Sequence, residues 1–341
     1  MKSPTCRQRG FSLVELMIAM TLSLVLLAGA LSVLYSTKVT NTENDRLARL
    51  QENGRAAVEL MLRDARTAGY QGCMRPGFGT VVFDNKLPSP TATLWNFAQP
   101  VYGFNANGGS WLPAMDSAAI PGPVTATTPA PSPGSDVLVL RTTRQGMPKF
   151  RMVAGMANFN SPLSVDGPAG ATVAIGDTMV VTDCATAVAF TVTGFSAGTP
   201  ATISHGSLGF TFGLNSEVVY IDTVSYYVAP STTLNGPALY RRIGDREPEI
   251  LVEGVENMQV LYGIGNSNLV ATSYVAANAV TDWNNIVSVT VSLLLRSETE
   301  ENLERDTRTY TMLDTVFDPN PDDRRQRALF TTTVTLRNRT R

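Results

Sequence analysis

The Gly-x-Ser-x-Gly motif at 194–198 is the chain's candidate for a catalytic nucleophile. In hydrolases this motif places the serine, here Ser196, on a sharp turn between a strand and a helix. Thr-Pro-Ala follows at 199–201 instead of a helical sequence, and the only histidine, His205, comes next with no acid between. Because the chemistry needs an acid and then a histidine downstream, we predict a strand-ending turn and no enzyme.

Residues that bind metals are few. The stretch Asp318–Asp323 places oxygen ligands at alternate positions, but two prolines interrupt it, and it lacks the Gly and the Glu of an EF-hand loop. One His and the two cysteines beyond the first ten residues, Cys73 and Cys184, are too few for an ordinary zinc site, and no Gly-rich loop followed by Lys-Ser/Thr is present to hold a phosphate. We expect a solvated acidic loop, with calcium binding as the alternative, and no cofactor.

A single carboxylate inside an apolar run is the most informative group. Glu15 is the only charged residue from Phe11 to Tyr35, and a buried charge in a membrane helix costs about 2.5 kcal/mol or more unless it has a partner. A helix of this length spans about 37 Å, more than the hydrocarbon core of a bilayer. Lys2, Arg7 and Arg9 precede it, which keeps the N-terminus in the cytoplasm and exports the rest.

The segment Gly10-Phe11-Ser12-Leu13-Val14-Glu15 resembles the class III signal of type IV pilins and type II secretion pseudopilins. The resemblance implies that prepilin peptidase cleaves between Gly10 and Phe11 and that Phe11 is N-methylated. It also implies that Glu15 is a docking carboxylate, which neutralises the new α-ammonium of a neighbouring subunit in the filament. An unprocessed signal anchor is the alternative that the residues leave open, since the apolar run is too long for a secretory signal.

One long helix is predicted from Phe11 to about Ala68, because no proline occurs there and small or apolar residues recur at steps of three and four. It would be about 85 Å long and would end at Gly69. Charged residues, Asp64 among them, are expected on its solvent side. We divide this part of the chain into a leader (1–10), a transmembrane or filament-core helix (11–35) and an amphipathic helix continuing into the head (36–69).

The remainder, 70–341, is predicted to be a β-rich globular head. The predicted fold class is α+β, with the layout of a type IV pilin: the long helix packs on antiparallel sheet, in one sheet or two. A proline-rich stretch at about 118–135 is expected to be an exposed excursion. Predicted strands are 80–83, 136–143, 178–183, 187–194, 217–228, 238–242, 257–262, 286–296, 307–313 and 329–337.

Four blocks of sequence, 50–73, 183–193, 251–263 and 330–339, resemble PilW-type minor pilins of the type IV pilus. The resemblance implies a non-enzymatic subunit that joins other minor pilins in a priming complex at the pilus tip and starts assembly by the major pilin. It places the chain in the inner membrane as a single-pass protein with its head in the periplasm, and then at the pilus tip on the cell surface. The alternatives are a J-type minor pseudopilin of type II secretion, and a tip adhesin or DNA-uptake pilin that binds through 84–135.

The resemblance also bears on the cysteines. Cleavage would remove Cys6 and leave Cys73 and Cys184 in an oxidising compartment, which favours a disulfide; two free thiols are the alternative.

The charge balance bears on the partners. Hydrophobic residues make up 43% of the chain and charged residues 16%, which excludes a disordered chain. The formal charge of −2 becomes −5 when the three basic residues of the leader are lost, which disfavours nucleic acid. Six arginines in 324–341 are expected to be solvated or to contact an acidic partner or DNA. The implied partners are prepilin peptidase, inner-membrane lipid, other minor pilins, the major pilin and a tip adhesin.

Overall fold

The computed structural model describes residues 12–74, 82–116, 125, 128–167, 170–266, 268–300 and 305–339. Contacts divide the chain into two compact units, Met1–Arg49 and Leu50–Arg341. The predicted cleavage and methylation positions, Gly10 and Phe11, lie outside the described residues. So do Cys6, the start of the first predicted strand, and most of the proline-rich stretch.

Helix α1, Leu13–Thr67, confirms the predicted long helix and continues without a break for 55 residues. It covers the described part of the first unit and the first residues of the second. The chain leaves it at Gly69, whose φ of +74° is the left-handed conformation of a helix-ending glycine. The Gly69 N–H donates to the carbonyl oxygen of Arg141 at 2.8 Å, so the exit is tied to the sheet.

The described head is β-rich, which confirms the α+β layout. Two 3-10 turns, Ala277–Ala279 and Trp283–Asn285, lie between its later strands. The strands are β1 (Val82–Asn85), β2 (Val101–Asn107), β3 (Ser110–Leu112), β4 (Val137–Thr143), β5 (Phe150–Met152), β6 (Leu163–Asp166), β7 (Thr178–Thr182), β8 (Thr186–Ser196), β9 (Ala201–His205), β10 (Glu217–Pro230), β11 (Pro237–Ile243), β12 (Glu249–Glu253), β13 (Val255–Gly265), β14 (Ala271–Val275), β15 (Ile286–Arg296), β16 (Tyr310–Met312), β17 (Thr315–Phe317) and β18 (Arg327–Thr335).

Six strands close into a small antiparallel barrel. Strand β7 pairs with β8, β8 with β9, β9 with β6, β6 with β5, β5 with β10, and β10 with β7 again. A separate apolar core fills this barrel and includes Phe150, Met152, Phe190, Ile203 and Tyr220. Strand β1 pairs in parallel with the start of β8, at residues 186–189, on the edge that β9 leaves uncovered.

Strand β10 links the barrel to the sheet that carries the helix. Its first residues belong to the barrel, whereas its second half pairs with β4 on one side and β11 on the other. Strands β2, β3 and β12 extend this sheet. A second sheet has the order β14-β13-β15-β18, and β16 and β17 form a hairpin.

The amphipathic half of α1 packs on both of these sheets in one large core. Leu50, Ala57, Met61 and Ala65 are at most 4% exposed and contact residues of β4, β10, β13, β15 and β18. A Cβ atom on Gly54 would lie 2.3 Å from the ring of Phe330, so only glycine permits this close approach of helix and sheet. The predicted buried stripe of the helix is therefore confirmed from Leu50 onward, whereas Leu47, its first predicted member, is 42% exposed.

Two expectations were wrong. Asp64 was expected in solvent, but it is only 3% exposed. Region 84–135 was given no strand, yet β2 lies inside a sheet between β3 and β4. In the described end of the proline-rich stretch, Thr128 and Pro131 are buried whereas Pro133 and Gly134 are exposed, and Thr128 Oγ1 donates to Glu247 Oε2 at 2.8 Å.

Candidate functional site

The start of α1 is organised by a reciprocal pair of hydrogen bonds between Ser12 and Glu15. The Ser12 N–H donates to Glu15 Oε2 at 3.1 Å, and the Glu15 N–H donates to Ser12 Oγ at 3.2 Å. This is a capping box, which satisfies two of the backbone donors that every helix leaves unpaired at its start. The Glu15 carboxylate is thus held at the N-terminal end of its own helix. The Ser-x-x-Glu spacing was present in the sequence, but we had not interpreted it as a cap.

The helix beyond this cap presents an apolar surface on all sides. Its large apolar side chains from Leu13 to Tyr35 are each more than half exposed. The hydroxyls of Thr21 and Ser23 donate to the carbonyl oxygens of Ile18 and Ala19, at 2.9 and 2.7 Å. Such bonds satisfy the polar hydroxyl groups within the helix itself, so they need no partner outside it. Among the described residues, α1 is the one helix long and apolar enough to cross a membrane.

Cys73 and Cys184 form a disulfide. Cys73, just after the end of α1, is joined to Cys184 in the turn between β7 and β8, with their Cα atoms 4.9 Å apart. Cys184 has φ +75°, a left-handed conformation that is uncommon for a residue other than glycine. The bond connects the exit of the helix to the barrel across 111 residues of sequence.

A buried polar cluster fastens the helix to the sheet. Tyr226 Oη on β10 donates to Asp64 Oδ2 at 2.6 Å, and Arg241 Nη1 on β11 lies 3.8 Å from the same oxygen. Burial raises the pKa of Asp64, although the bond from Tyr226 and the charge of Arg241 oppose this shift. A carboxylate placed here needs these partners, because a buried unpaired charge is strongly destabilising.

Another buried carboxylate joins the two sheets. Asp136 precedes β4 and is 3% exposed. Its Oδ1 accepts the N–H of Ala106 on β2 at 2.8 Å, and its Oδ2 accepts the N–H of Val260 on β13 at 2.9 Å. Burial raises the pKa of Asp136 to about 7 despite these two bonds.

The C-terminal arginines and the acidic loop pair with each other. The side chain of Arg327 is fully buried and forms ion pairs with Glu256, Asp306 and Asp323, all within 3.2 Å. Asp323 also bonds Arg325, so it is not a solvated loop residue. Within the described residues no group of three His, Cys, Asp or Glu side chains could hold a metal ion. Asp323 therefore neutralises arginines, whereas Asp318 and Asp322 are exposed, as expected for this loop.

Ser196 and His205 are not arranged as a catalytic pair. Ser196 is the last residue of β8 and lies opposite Thr202 of β9, whereas His205 lies opposite Val192. Four residues of strand, about 13 Å, therefore separate the two positions. His205 Nε2 lies 3.1 Å from the carbonyl oxygen of Ser161 and is used within the barrel. The motif is a strand end, as the sequence predicted.

Two family models match the chain. Residues 5–31 match the prokaryotic N-terminal methylation motif, and residues 225–338 match type IV pilus-assembly protein W. No curated protein and no solved structure matches it. The apolar helix, the methylation motif and the β-rich head define a pilin-like protein. The two matches are those of a PilW-type pilin of the type IV pilus. For a pilin, such matches imply a structural role, contact with other pilus components and a membrane-anchored helix.

Proposed function

We propose that this chain is a minor pilin that helps to start type IV pilus assembly, in a priming complex with other minor pilins at the pilus tip. The observation that carries the proposal is the exposed apolar surface of α1 from Leu13 to Tyr35, with a lone carboxylate at its start. Such a surface has to be covered by lipid before assembly and by neighbouring helices after it. The match to type IV pilus-assembly protein W supports the assignment to the pilus.

In the proposed pathway the chain is first an inner-membrane protein with its head in the periplasm. Prepilin peptidase cleaves between Gly10 and Phe11, and the new N-terminus at Phe11 is methylated. Glu15 then neutralises the terminal ammonium of an adjacent subunit, which requires it to exchange its bond to Ser12 for the new partner. The charge on the ammonium makes that exchange favourable in a low-dielectric filament core.

The size of the head favours a place at the tip. The six-stranded barrel adds a separately packed body to the sheets that carry the helix. A tip subunit needs neighbours on one side only, so it tolerates this bulk more readily than a subunit of the shaft.

A deletion strain complemented with variants tests the proposal. We expect the deletion to abolish surface pili and twitching, the wild-type gene to restore both, and Glu15→Ala to fail. Glu59→Ala is the matched control, because Glu59 is an exposed carboxylate of the same helix in the head. Immunogold labelling of the head should mark pilus ends.

Three outcomes would contradict the proposal. Intact pili with loss of exoprotein secretion would indicate a J-type pseudopilin. Intact pili with loss of attachment or DNA uptake would indicate an adhesin or uptake subunit. Labelling along the whole shaft would exclude a tip position.

A further inference from the structure

A cleft of about 200 Å³ opens at one end of the four-stranded sheet. The turn between β13 and β14 forms one wall, and the 3-10 turn before β15 forms another. The segment after β18 closes it. The residues that line it and matter here are Asn266, Leu269, Asn284, Asn285, Val287 and Arg339.

Arg339 brings a positive charge to this cleft, and no carboxylate of the described residues forms an ion pair with it. Its guanidinium donates to the carbonyl oxygen of Asn284, and no ion pair within 4 Å joins it to an acid of the described chain. Burial lowers the pKa of Arg339, and the charge of Asp282 offsets this only in part. By contrast, Arg144 and Arg327 each bond two or more carboxylates.

Asp282 is already used by its own turn. Its Oδ1 accepts the N–H of Asn284 at 2.9 Å, and its Oδ2 accepts Asn285 Nδ2 at 3.1 Å. The carboxylate therefore caps the 3-10 turn, and the Arg339 guanidinium keeps hydrogen-bonding capacity for a ligand in the cleft.

Asn266 supplies a second donor on the opposite wall. Its Oδ1 accepts the N–H groups of Asn268 and Val270, at 2.9 and 3.2 Å, so the oxygen is fixed by the turn. The Nδ2 group is then the part of this amide that remains to bind a ligand. No Asp or Glu is among the residues that line the cleft.

We propose that this cleft binds a carboxylate group of a polypeptide. A guanidinium donates to a carboxylate through two parallel bonds, and an amide donor can hold a carboxylate oxygen as well. Pockets for drug-sized ligands have volumes of about 300–1,000 Å³. The cleft is smaller, so it suits a single carboxylate group and the few atoms attached to it. This inference goes beyond the assembly role, which assigns no ligand to the head.

Saturation-transfer NMR on the full chain in detergent micelles tests this binding. N-acetylglycine presents a main-chain carboxylate and N-acetylglutamate α-amide presents a side-chain carboxylate. N-acetylglycinamide and N-acetylglutamine α-amide are their neutral counterparts. We expect a carboxylate probe to bind and its neutral counterpart not to bind. Whichever carboxylate probe binds more tightly shows whether the cleft takes a main-chain or a side-chain carboxylate.

Variants connect that binding to the cleft. Arg339→Gln should weaken it by about tenfold or more, the size of a lost charge-assisted bond, and Arg339→Lys should recover part of it. Arg337→Gln, which removes an exposed arginine two residues away, should leave it unchanged. Asn266→Asp keeps the turn bonds of Oδ1 but places a negative charge in the cleft, so it should abolish binding even if Arg339→Gln fails to fold.

The proposal is overturned if the neutral probes bind as well as the carboxylates, or if no carboxylate probe binds. It is also overturned if Asn266→Asp, with an unchanged melting temperature, binds like the wild type.

Discussion

Tyr226 and Asp64, 162 residues apart in sequence, form a 2.6 Å hydrogen bond that fastens the end of α1 to the middle of the head. Both side chains are buried. The bond lies among apolar contacts of the helix–sheet core, where a polar pair fixes one position of the helix along the sheet.

Tyr226→Phe should destabilise the head, because it leaves the Asp64 carboxylate buried without its closest partner. We expect a loss of about 1–3 kcal/mol in the free energy of unfolding, measured by denaturant titration of the chain in micelles. The double variant Tyr226→Phe/Asp64→Leu should recover part of this loss, since an apolar pair needs no hydrogen bond. A double variant less stable than the single one would contradict this explanation.

Asp136 should make stability depend on pH. Its pKa is raised from an ordinary value of 3.8 to about 7 by burial, so between about pH 4 and 7 the folded chain binds a proton that the unfolded chain has lost. Its contribution to stability is fully present below about pH 4 and is lost as the pH rises to about 7, at up to about 1.4 kcal/mol per pH unit.

Thermal unfolding of the wild type and of Asp136→Asn, measured from pH 4 to 8, tests this contribution. It equals the difference between the two proteins in how steeply the free energy of unfolding changes with pH. Asp166→Asn, at an exposed position, is the control. Equal slopes for the wild type and Asp136→Asn would contradict the prediction.

Removing the disulfide should lower stability by about 2–5 kcal/mol, because cross-linking a loop of about 110 residues restricts the unfolded chain. Cys184→Ala and the double variant Cys73→Ala/Cys184→Ala should be equally unstable. Mass spectrometry of the non-reduced wild type, with alkylation of free thiols, checks the bond directly. Two alkylated thiols would disprove it.

Arg327→Met should be among the most damaging substitutions in the head. It leaves Glu256, Asp306 and Asp323 near one another without their shared cation, at a cost of about 3–5 kcal/mol. Arg337→Met removes an exposed arginine of the same C-terminal stretch and should change the melting temperature little. Similar losses in the two variants would indicate that the buried network contributes nothing.

Ser12→Ala should loosen the first turn of α1, because the Glu15 N–H loses its acceptor. A lost cap costs about 1 kcal/mol, so amide hydrogen exchange at Glu15 should be about fivefold faster. Ser12→Thr keeps the acceptor and should exchange like the wild type. Ser23→Ala, whose hydroxyl bonds a carbonyl further along the helix, is a control that should leave exchange at Glu15 unchanged.

Local sequence patterns predicted the elements whose structure is set by neighbours in the chain. The period of the apolar residues gave α1 and its buried face, and the alternation in β15 and β18 gave two strands that pair along their whole length. The class III signal pointed to the pilin class from a few residues at the N-terminus. The disulfide was predicted from the two cysteines that the expected cleavage would leave, Cys73 and Cys184.

Features that depend on distant residues were missed. Strands β5, β6 and β9 have only three to five residues each, which is too short for a clear period, and the barrel exists only through their mutual pairing. Asp64 was predicted to be solvent-exposed because its partner Tyr226 is far away in sequence, so no local pattern indicates their hydrogen bond. Asp323 resembled a loop ligand for the same reason, since its partner Arg327 was taken to be solvated. The lining of the Arg339 cleft comes from three separated segments.

The path of the chain makes the barrel a removable insertion. Thr143, the last residue of β4, lies opposite Ile221 of β10, and the chain between them contributes every barrel strand. A chain that passed directly from β4 to β10 would form a plain hairpin and keep the helix-bearing sheets. The matched family region begins at residue 225, beyond this segment. The barrel is thus formed by one continuous stretch of chain between two paired strands, and the bond from Cys184 to Cys73 joins this insertion to the end of the helix.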